Sequence, residues 1–508
     1  MAPRHYDWLA HHARATPARP CWMDVASGRA FSFAEANDRV RRLAAHLQSR
    51  CNVKKGDRVA VLAMNSTDGV EALNACARLG AICLLLNWRL APPELDFIMT
   101  DATPKVMIHD LDTAELVEAM KERSPHRIAT TGLGEPSPYE DALAAADPAH
   151  LEPCQDLTHD DPWSLIYTSG TTGRPKGGPQ TYGMAFANCI NATGPLHIHD
   201  GSVGLTFLPL FHTAGLNTYL LPILHQGGHS HVMRMFDPGE ALRLISDPEV
   251  GITTMLGVPA NYLFMSQHPD FDASDWSRIE AATVGGAPTP RPLLIAYAEQ
   301  KKVAIRQGFG MTETSPLVSL QDAQTALAKP GSAGRCALHA ELKVMREDGT
   351  EAQADETGEL YVRGPNITPG YWRRPDANEK EWVDGWFKTG DAARVDADGD
   401  LWIVDRWKDM YISGGENVYP AEVESVLFAL EGVADAAVIG KPDDKWGEVG
   451  LAVVVRAEGA RIEAGDVIGH CDGKLARYKI PKAVEFIDVL PRNATGKVLK
   501  RELRDRLL

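Results

Sequence analysis

The segment that most restricts how this chain can fold is YTSGTTGRPKGG, Tyr167 to Gly178. It follows a short apolar run, Trp163 to Tyr167, that reads as a buried strand opened by Pro162, and it precedes a helix-compatible stretch starting near Thr181. A strand that empties into such a loop presents it at a sheet edge, where ligands bind in α/β proteins. Thr168, Ser169, Thr171 and Thr172 carry hydroxyls, while Gly170 and Gly173 lack a Cβ, so successive N–H groups can turn toward one point. That point suits a phosphate. Arg174 and Lys176 add positive charge, and Pro175 between them stiffens the loop's exit. The string is not a Walker loop: its lysine comes three residues after Gly173 and is followed by Gly177, not by a hydroxyl residue.

With 508 residues the chain is too long for one core and divides into at least two domains. A net charge of −16 argues against nucleic acid or an anionic membrane surface as partner, since the average field repels both. Eight cysteines form no CxxC pair, which predicts free thiols in a reducing compartment and no structural zinc. The N-terminal stretch has no signal-peptide core, and the apolar run Ala81 to Leu86 is too short to span a bilayer, so a cytoplasmic location without integral membrane association is expected.

Helical and strand periodicities alternate before the loop: a helix over 34–47, a strand over 58–64, a helix over 69–79 and a strand over 81–86. This βαβ rhythm predicts mostly parallel sheets covered by helices. Downstream, LPLFHTAGLN places His212 among apolar neighbours, and His225, His229 and His231 form a histidine-rich stretch. A metal reading of that stretch is disfavoured, because Gly227-Gly228 breaks the helix that an i, i+4 pair needs and no carboxylate or cysteine joins it. In QGFGMTET, Glu313 directly follows Thr312, which pairs a hard carboxylate ligand with a hydroxyl that reaches phosphate oxygen. Asp391, after Thr389-Gly390, is a short carboxylate on a turn, able to accept from both hydroxyls of a ribose. After Asp405 the pattern changes to a smaller α+β unit with a helix over 421–430, strands over 433–439, 449–455 and 484–489, and a helix around 462–476. The expected division is 1–405 for a large N-terminal domain, including a small β subdomain, and 406–508 for a mobile C-terminal one.

Taken in order, these strings resemble the superfamily of acyl-CoA synthetases, peptide-synthetase adenylation domains and beetle luciferases. The resemblance runs from the strand before Arg89 to Lys497. It implies an ATP-dependent carboxylate–CoA ligase that forms acyl-AMP and pyrophosphate, then acyl-CoA and AMP, with Mg²⁺, ATP and CoA bound. By resemblance, Thr168 to Gly173 and Lys176 hold the β- and γ-phosphates, Thr312 and Glu313 the α-phosphate and the metal, and Asp391 and Arg406 the ribose. Gly285, Gly286, Ala287 and Pro288 form the floor of the adenine and acyl sites, and Gln307, Gly308 and Phe309 belong to the nucleotide site. Phe309 stands where the family usually has Tyr; it keeps a face for stacking on adenine and lacks the phenol.

His212, Thr213, Ala214, Gly310 and Met311 are assigned to the acyl pocket, His212 beside the carboxylate. Acetyl-CoA synthetases carry a pocket-closing tryptophan at the position of Gly310, so its missing side chain is read as room for a bulky acid, either a medium- or long-chain fatty acid or an aryl or ring-bearing one. Arg89, Gly414, Gly415, Trp446, Tyr478 and Lys482 are assigned to CoA; an arginine that some relatives use nearby is Ile480 here. Lys408 is the hinge, and Lys497 stabilises adenylate formation.

An amino-acid adenylation module wants an acidic residue facing the substrate amine, and Phe211 to Asn217 has none; nothing specifies a luciferase's oxygen chemistry, and a binding protein would release no pyrophosphate. A stand-alone adenylating enzyme that hands the acyl group to a carrier protein is the remaining alternative. A homodimer, and a lysine acetyltransferase acting on Lys497, complete the partners that the sequence admits.

Overall fold

The strands Arg58–Leu62 and Ile82–Leu85 are apolar on both faces, the signature of parallel strands covered on each side. Val59, Val61, Cys83 and Leu85 point into one hydrophobic cluster, whereas Ala60, Leu62, Ile82 and Leu84 point into another. The computed structural model describes residues 2–120, 126–168, 175–287, 289–414, 416–492 and 498–508. Packing divides the chain into two units, Met1–Glu341 with Arg363–Gly385, and Leu342–Val362 with Trp386–Leu508.

The first unit holds two sheets with parallel centres. One has six strands, its five parallel strands ending at Pro162–Thr168, against which Lys176–Thr181 pairs antiparallel at the edge. The other has nine strands, with a parallel middle and antiparallel margins. The helices Phe33–Ser49 and Thr67–Leu79 contribute to the same core as the inward faces of both sheets, so they lie between the sheets. Pro92–Ala102 covers the outer face of the smaller sheet, and Pro238–Ser246 and Arg291–Gln300 that of the larger. The expected mostly parallel α/β class is therefore what the chain adopts.

Thr67–Leu79 is buried along nearly its whole length, although it carries Asp68 and Glu71. These carboxylates survive because they are paired. Arg29 reaches Asp68 at 2.9 Å, Arg39 Nε reaches Glu71 at 2.6 Å, and the Tyr139 hydroxyl donates to Glu71 at 2.8 Å. Burial still outweighs the partners at Glu71 and pushes its carboxyl up to about 7.

In the second unit the strands Gly358–Arg363, Trp386–Val395 and Leu401–Arg406 pair antiparallel. A separate sheet built on Val433–Asp443 and Gly447–Arg456 is joined by Ala483–Phe486, and the helices Pro420–Leu427 and Ala464–Cys471 pack on it. The boundary expected at 405/406 falls inside this unit, because Leu401–Arg406 is zipped to Trp386–Val395 and Asp405 Oδ2 caps Ala421 N at 2.7 Å. All eight cysteines are free thiols. Among the described residues no helix is long and apolar enough to cross a membrane.

Candidate active site

The glycine- and hydroxyl-rich string is the connection of a hairpin. Thr168 pairs with Lys176 and Ile166 with Gly178, which brings the lysine back beside the strand that launched the loop. Ser169, Gly170, Thr171, Thr172, Gly173 and Arg174 lie outside the described residues, as do Pro288, Gly415 and Lys497. Gly177 is closely packed, since a Cβ there would stand 3.0–3.1 Å from Leu165, Tyr167 and Trp372 side-chain atoms.

Lys176 Nζ lies 2.5 Å from Glu381 Oε1 and 4.6 Å from the centre of the Tyr371 ring. The Tyr371 hydroxyl lies 2.8 Å from Glu313 Oε1 and 2.9 Å from Glu381 Oε2. Burial, then the charges of Glu313 and Glu381, raise the phenol's pKa, so it keeps its proton. One proton cannot serve two carboxylates at once, so the phenol donates to only one of Glu313 and Glu381 at a time. Such a hard-oxygen set beside an ammonium fits a divalent cation such as Mg²⁺ accompanied by phosphate. Of these four residues, Lys176 and Glu313 follow from the sequence, and Tyr371 and Glu381 do not.

The neighbouring string is fixed by backbone contacts. Gln180 Nε2 donates to the Thr312 carbonyl at 2.8 Å, and Thr368 N donates to the Glu313 carbonyl at 2.8 Å. Gln307 is buried and spends its side-chain amide on the Ser332 carbonyl at 3.1 Å, so it supports this strand from behind. Gly308, Phe309, Met311 and Thr312 are half-buried, and Gly286 has φ of 82° at the turn after Val284, followed by Ala287.

The reading of Gly310 needs correction. A Cβ at Gly310 would run into the Pro316 carbonyl, because the pairing of Ile305–Gly310 with Leu317–Leu320 shifts register between Phe309 and Gly310. The glycine is demanded by this close backbone approach. Its missing side chain is accounted for by that contact, without an acyl pocket.

His212 lies in the Phe211–Leu216 segment, with its ring 4.6 Å from that of Phe211. Its Nε2 is buried without a hydrogen-bond partner among the described residues. Burial, and secondarily the Arg89 charge, lower its pKa to about 4, so the imidazole is neutral. Arg89 lies over Trp88, 4.3 Å from the ring centre, and within 5.8 Å of Phe211. Thr213 is buried, Ala214 packs against the larger sheet's outer core, and a Cβ on Gly285 would meet the Gly308 carbonyl at 3.3 Å.

In the second unit Asp391 and Arg406 stand opposite each other on adjacent strands, with Arg406 Nε 3.1 Å from Asp391 Oδ1. Gly414 has φ of 64°, donates to the Trp446 carbonyl at 2.8 Å and lies under the Trp446 ring, which a Cβ would approach to 3.0 Å. Tyr478 packs against the core that holds Ile480, and Lys482 N donates to the Gly450 carbonyl at 2.8 Å. Next to Lys408, Asp409 is held by Arg504 at 3.1 Å.

An α/β unit that sets the hairpin lysine Lys176 and the buried Glu313 against one tyrosine, Tyr371, fits an adenylate-forming enzyme. Residues 9–372 match the AMP-binding enzyme family and residues 422–497 the AMP-binding enzyme C-terminal domain; the chain belongs to this family and is an AMP-forming acid–thiol ligase that couples a carboxylate to CoA at the expense of ATP. It is 41% identical to a feruloyl-CoA synthase of Amycolatopsis sp over 499 residues, covering 98% of each chain. It is 36% identical to the long-chain-fatty-acid–CoA ligase FadD13 of Mycobacterium tuberculosis, over 98% of this chain and 97% of the other. Among solved structures, ATP-bound MatB from Rhodopseudomonas palustris matches with a TM-score of 0.89 at 31% identity, covering 98% of each chain. The o-succinylbenzoate CoA synthetase MenE of Bacillus subtilis, in complex with its acyl-adenylate, matches with a TM-score of 0.87 at 32% identity, over 99% of this chain and 98% of that one.

Proposed function

We propose that the acid is bulky, apolar and ring-bearing, and that CoA, not a carrier protein, takes the acyl group. The carrying observation is the neutral His212, its Nε2 buried and its ring against Phe211, which in turn meets Trp88 edge-on, in a segment without an acidic side chain. An uncharged imidazole among aromatic rings suits an aryl acid better than an amino acid, whose ammonium would stay unpaired. The relatives support this choice, since they include a feruloyl-CoA synthase and an indoleacetate–CoA ligase of Aromatoleum aromaticum. A long-chain fatty acid is the second reading, favoured by the likeness to FadD13.

In the first half-reaction the substrate carboxylate attacks the α-phosphorus of ATP and pyrophosphate leaves. Here the enzyme's work is placement and charge neutralisation. Lys176 and the 168–173 loop hold the terminal phosphates, Thr312 the α-phosphate, and Asp391 with Arg406 the ribose. Glu313 is the residue that would hold Mg²⁺, an ion with which the relative MenE has been solved together with ATP; bound there, the ion would supply charge neutralisation at the phosphate oxygens. Lys497 stabilises the charge that develops on adenylation. For the second half-reaction the segment after Lys408 turns, withdraws Lys497 and presents Gly414-Gly415 as the path for the pantetheine arm, with Arg89, Trp446, Tyr478 and Lys482 on the CoA nucleotide. The test is AMP formation with CoA across ferulate, indoleacetate, a long-chain fatty acid and acetate. The expected order puts the aryl acids first and acetate last; acetate in front, or transfer only to a carrier protein, contradicts the reading.

A further inference from the structure

The lysine assigned to the terminal phosphates is already engaged. Glu381 Oε1 takes Lys176 Nζ at 2.5 Å, and Glu381 Oε2 lies 2.9 Å from the Tyr371 hydroxyl, so both carboxylate oxygens are used. The pair is mostly buried, with side-chain exposures of 18% and 26%, which keeps solvent from screening it fully. Local helix stability does not explain the glutamate. Glu381 is the last residue of the helix Pro375–Glu381, the end where the backbone dipole disfavours a negative charge. Its position is instead accounted for by Lys176 and Tyr371, 205 and 10 residues away in sequence.

We infer that Glu381 is a positioning residue that stands in for the terminal phosphates on Lys176, and that its return to the lysine drives pyrophosphate out after adenylation. The inference rests on the nucleotide-site reading above. A carboxylate and a phosphate oxygen make the same kind of charge-assisted contact to an ammonium, so they compete for it. In the empty enzyme Glu381 occupies Lys176 and keeps the ammonium on the Tyr371 ring. Triphosphate displaces the carboxylate; once the α–β bond is broken, the smaller pyrophosphate has fewer contacts with which to hold the same lysine. Glu381 then reclaims it. Ligand affinity is thus reduced by the fraction of enzyme in which Lys176 is occupied internally, a cost that removing the carboxylate's charge would lift.

The experiment is calorimetric titration of inorganic pyrophosphate with Mg²⁺ into wild type, E381Q, E381A, E381D, K176M and the double variant K176M/E381Q, with pre-steady-state pyrophosphate release followed in the same proteins. The account expects E381Q to bind pyrophosphate about tenfold tighter than wild type, with lower KM for ATP and slower release limiting kcat. E381D, which keeps the charge, returns toward wild-type affinity. The gain from E381Q disappears in the K176M background. E381A serves as a second neutral variant, and thermal melts establish that each protein is folded. Equal or weaker pyrophosphate binding by both neutral variants, or a gain that survives in K176M, overturns the inference while leaving the nucleotide site standing. Pyrophosphate binding by none of the proteins, wild type included, overturns the nucleotide-site reading and this inference with it.

Discussion

His212 and Gly310 show how little of a side chain's task is visible in its identity. The buried Nε2 of His212 has no hydrogen-bond partner among the described residues, so in the free enzyme it costs stability and is available to a bound acid. His212→Phe, which keeps a ring and removes both nitrogens, should raise the melting temperature or leave it unchanged and lower kcat/KM for the acid by about tenfold or more, the scale of a lost buried hydrogen bond. KM for ATP should hold, and a proportional loss for ATP would place His212 elsewhere. At Gly310 even one methyl group meets the Pro316 carbonyl. Gly310→Ala should therefore destabilise the fold by about 2 kcal/mol or more in a denaturant titration, as overpacking against fixed backbone does. A neutral alanine would show that the bulged pairing can open.

Between elements, the buried charge network is the strongest constraint. Arg39, on the helix Phe33–Ser49, holds Glu71 on Thr67–Leu79 and Glu140 on Pro138–Ala145. Arg39→Met leaves Glu71 buried without its cation and should cost about 3–5 kcal/mol in a denaturant titration. A loss under about 1 kcal/mol would show that Tyr139 alone suffices. The histidine-rich stretch divides between two elements: His225 lies on the helix Leu221–Gln226, which ends at Gly227 with φ of 82°, and His229 and His231 lie on the strand His229–Val232. Burial lowers both strand histidines to about 4. A histidine whose folded pKa lies below its unfolded value takes up a proton on unfolding, so its contribution is complete above about 6.5 and is lost as pH falls toward 4. The melting temperature should fall over that window, and less steeply when both are replaced by Gln; an unchanged slope would remove them as its source.

The helices and strands that were legible in the sequence are those with strong apolar periodicity, as in Thr67–Leu79 and Gly447–Arg456. The strand Lys176–Thr181 was not, because KGGPQT has no apolar alternation, only its last residue is β-branched, and it forms by pairing back on Pro162–Thr168. Tyr371 and Glu381 were hidden for a related reason. Nothing local marks them, and only the folded chain brings them to Lys176 and Glu313.

At the scale of the whole molecule the account divides one reaction between two units. Lys497→Ala should slow acyl-AMP formation by on the order of 100-fold or more, the loss of one transition-state charge donor, and acetylation of Lys497 should do the same. Gly415→Leu should spare pyrophosphate release and block thioester formation; equal damage to both half-reactions in either variant would refute the division. The most direct test of the central claim is product stoichiometry in the wild-type enzyme with Mg²⁺-ATP, CoA and an aryl acid. Without CoA the account predicts acid-dependent pyrophosphate release limited to about one equivalent per active site, the acyl-AMP staying bound. With CoA it predicts AMP, pyrophosphate and acyl-CoA in equal amounts. ADP as the nucleotide product, pyrophosphate release independent of acid, or CoA left unconsumed would contradict it.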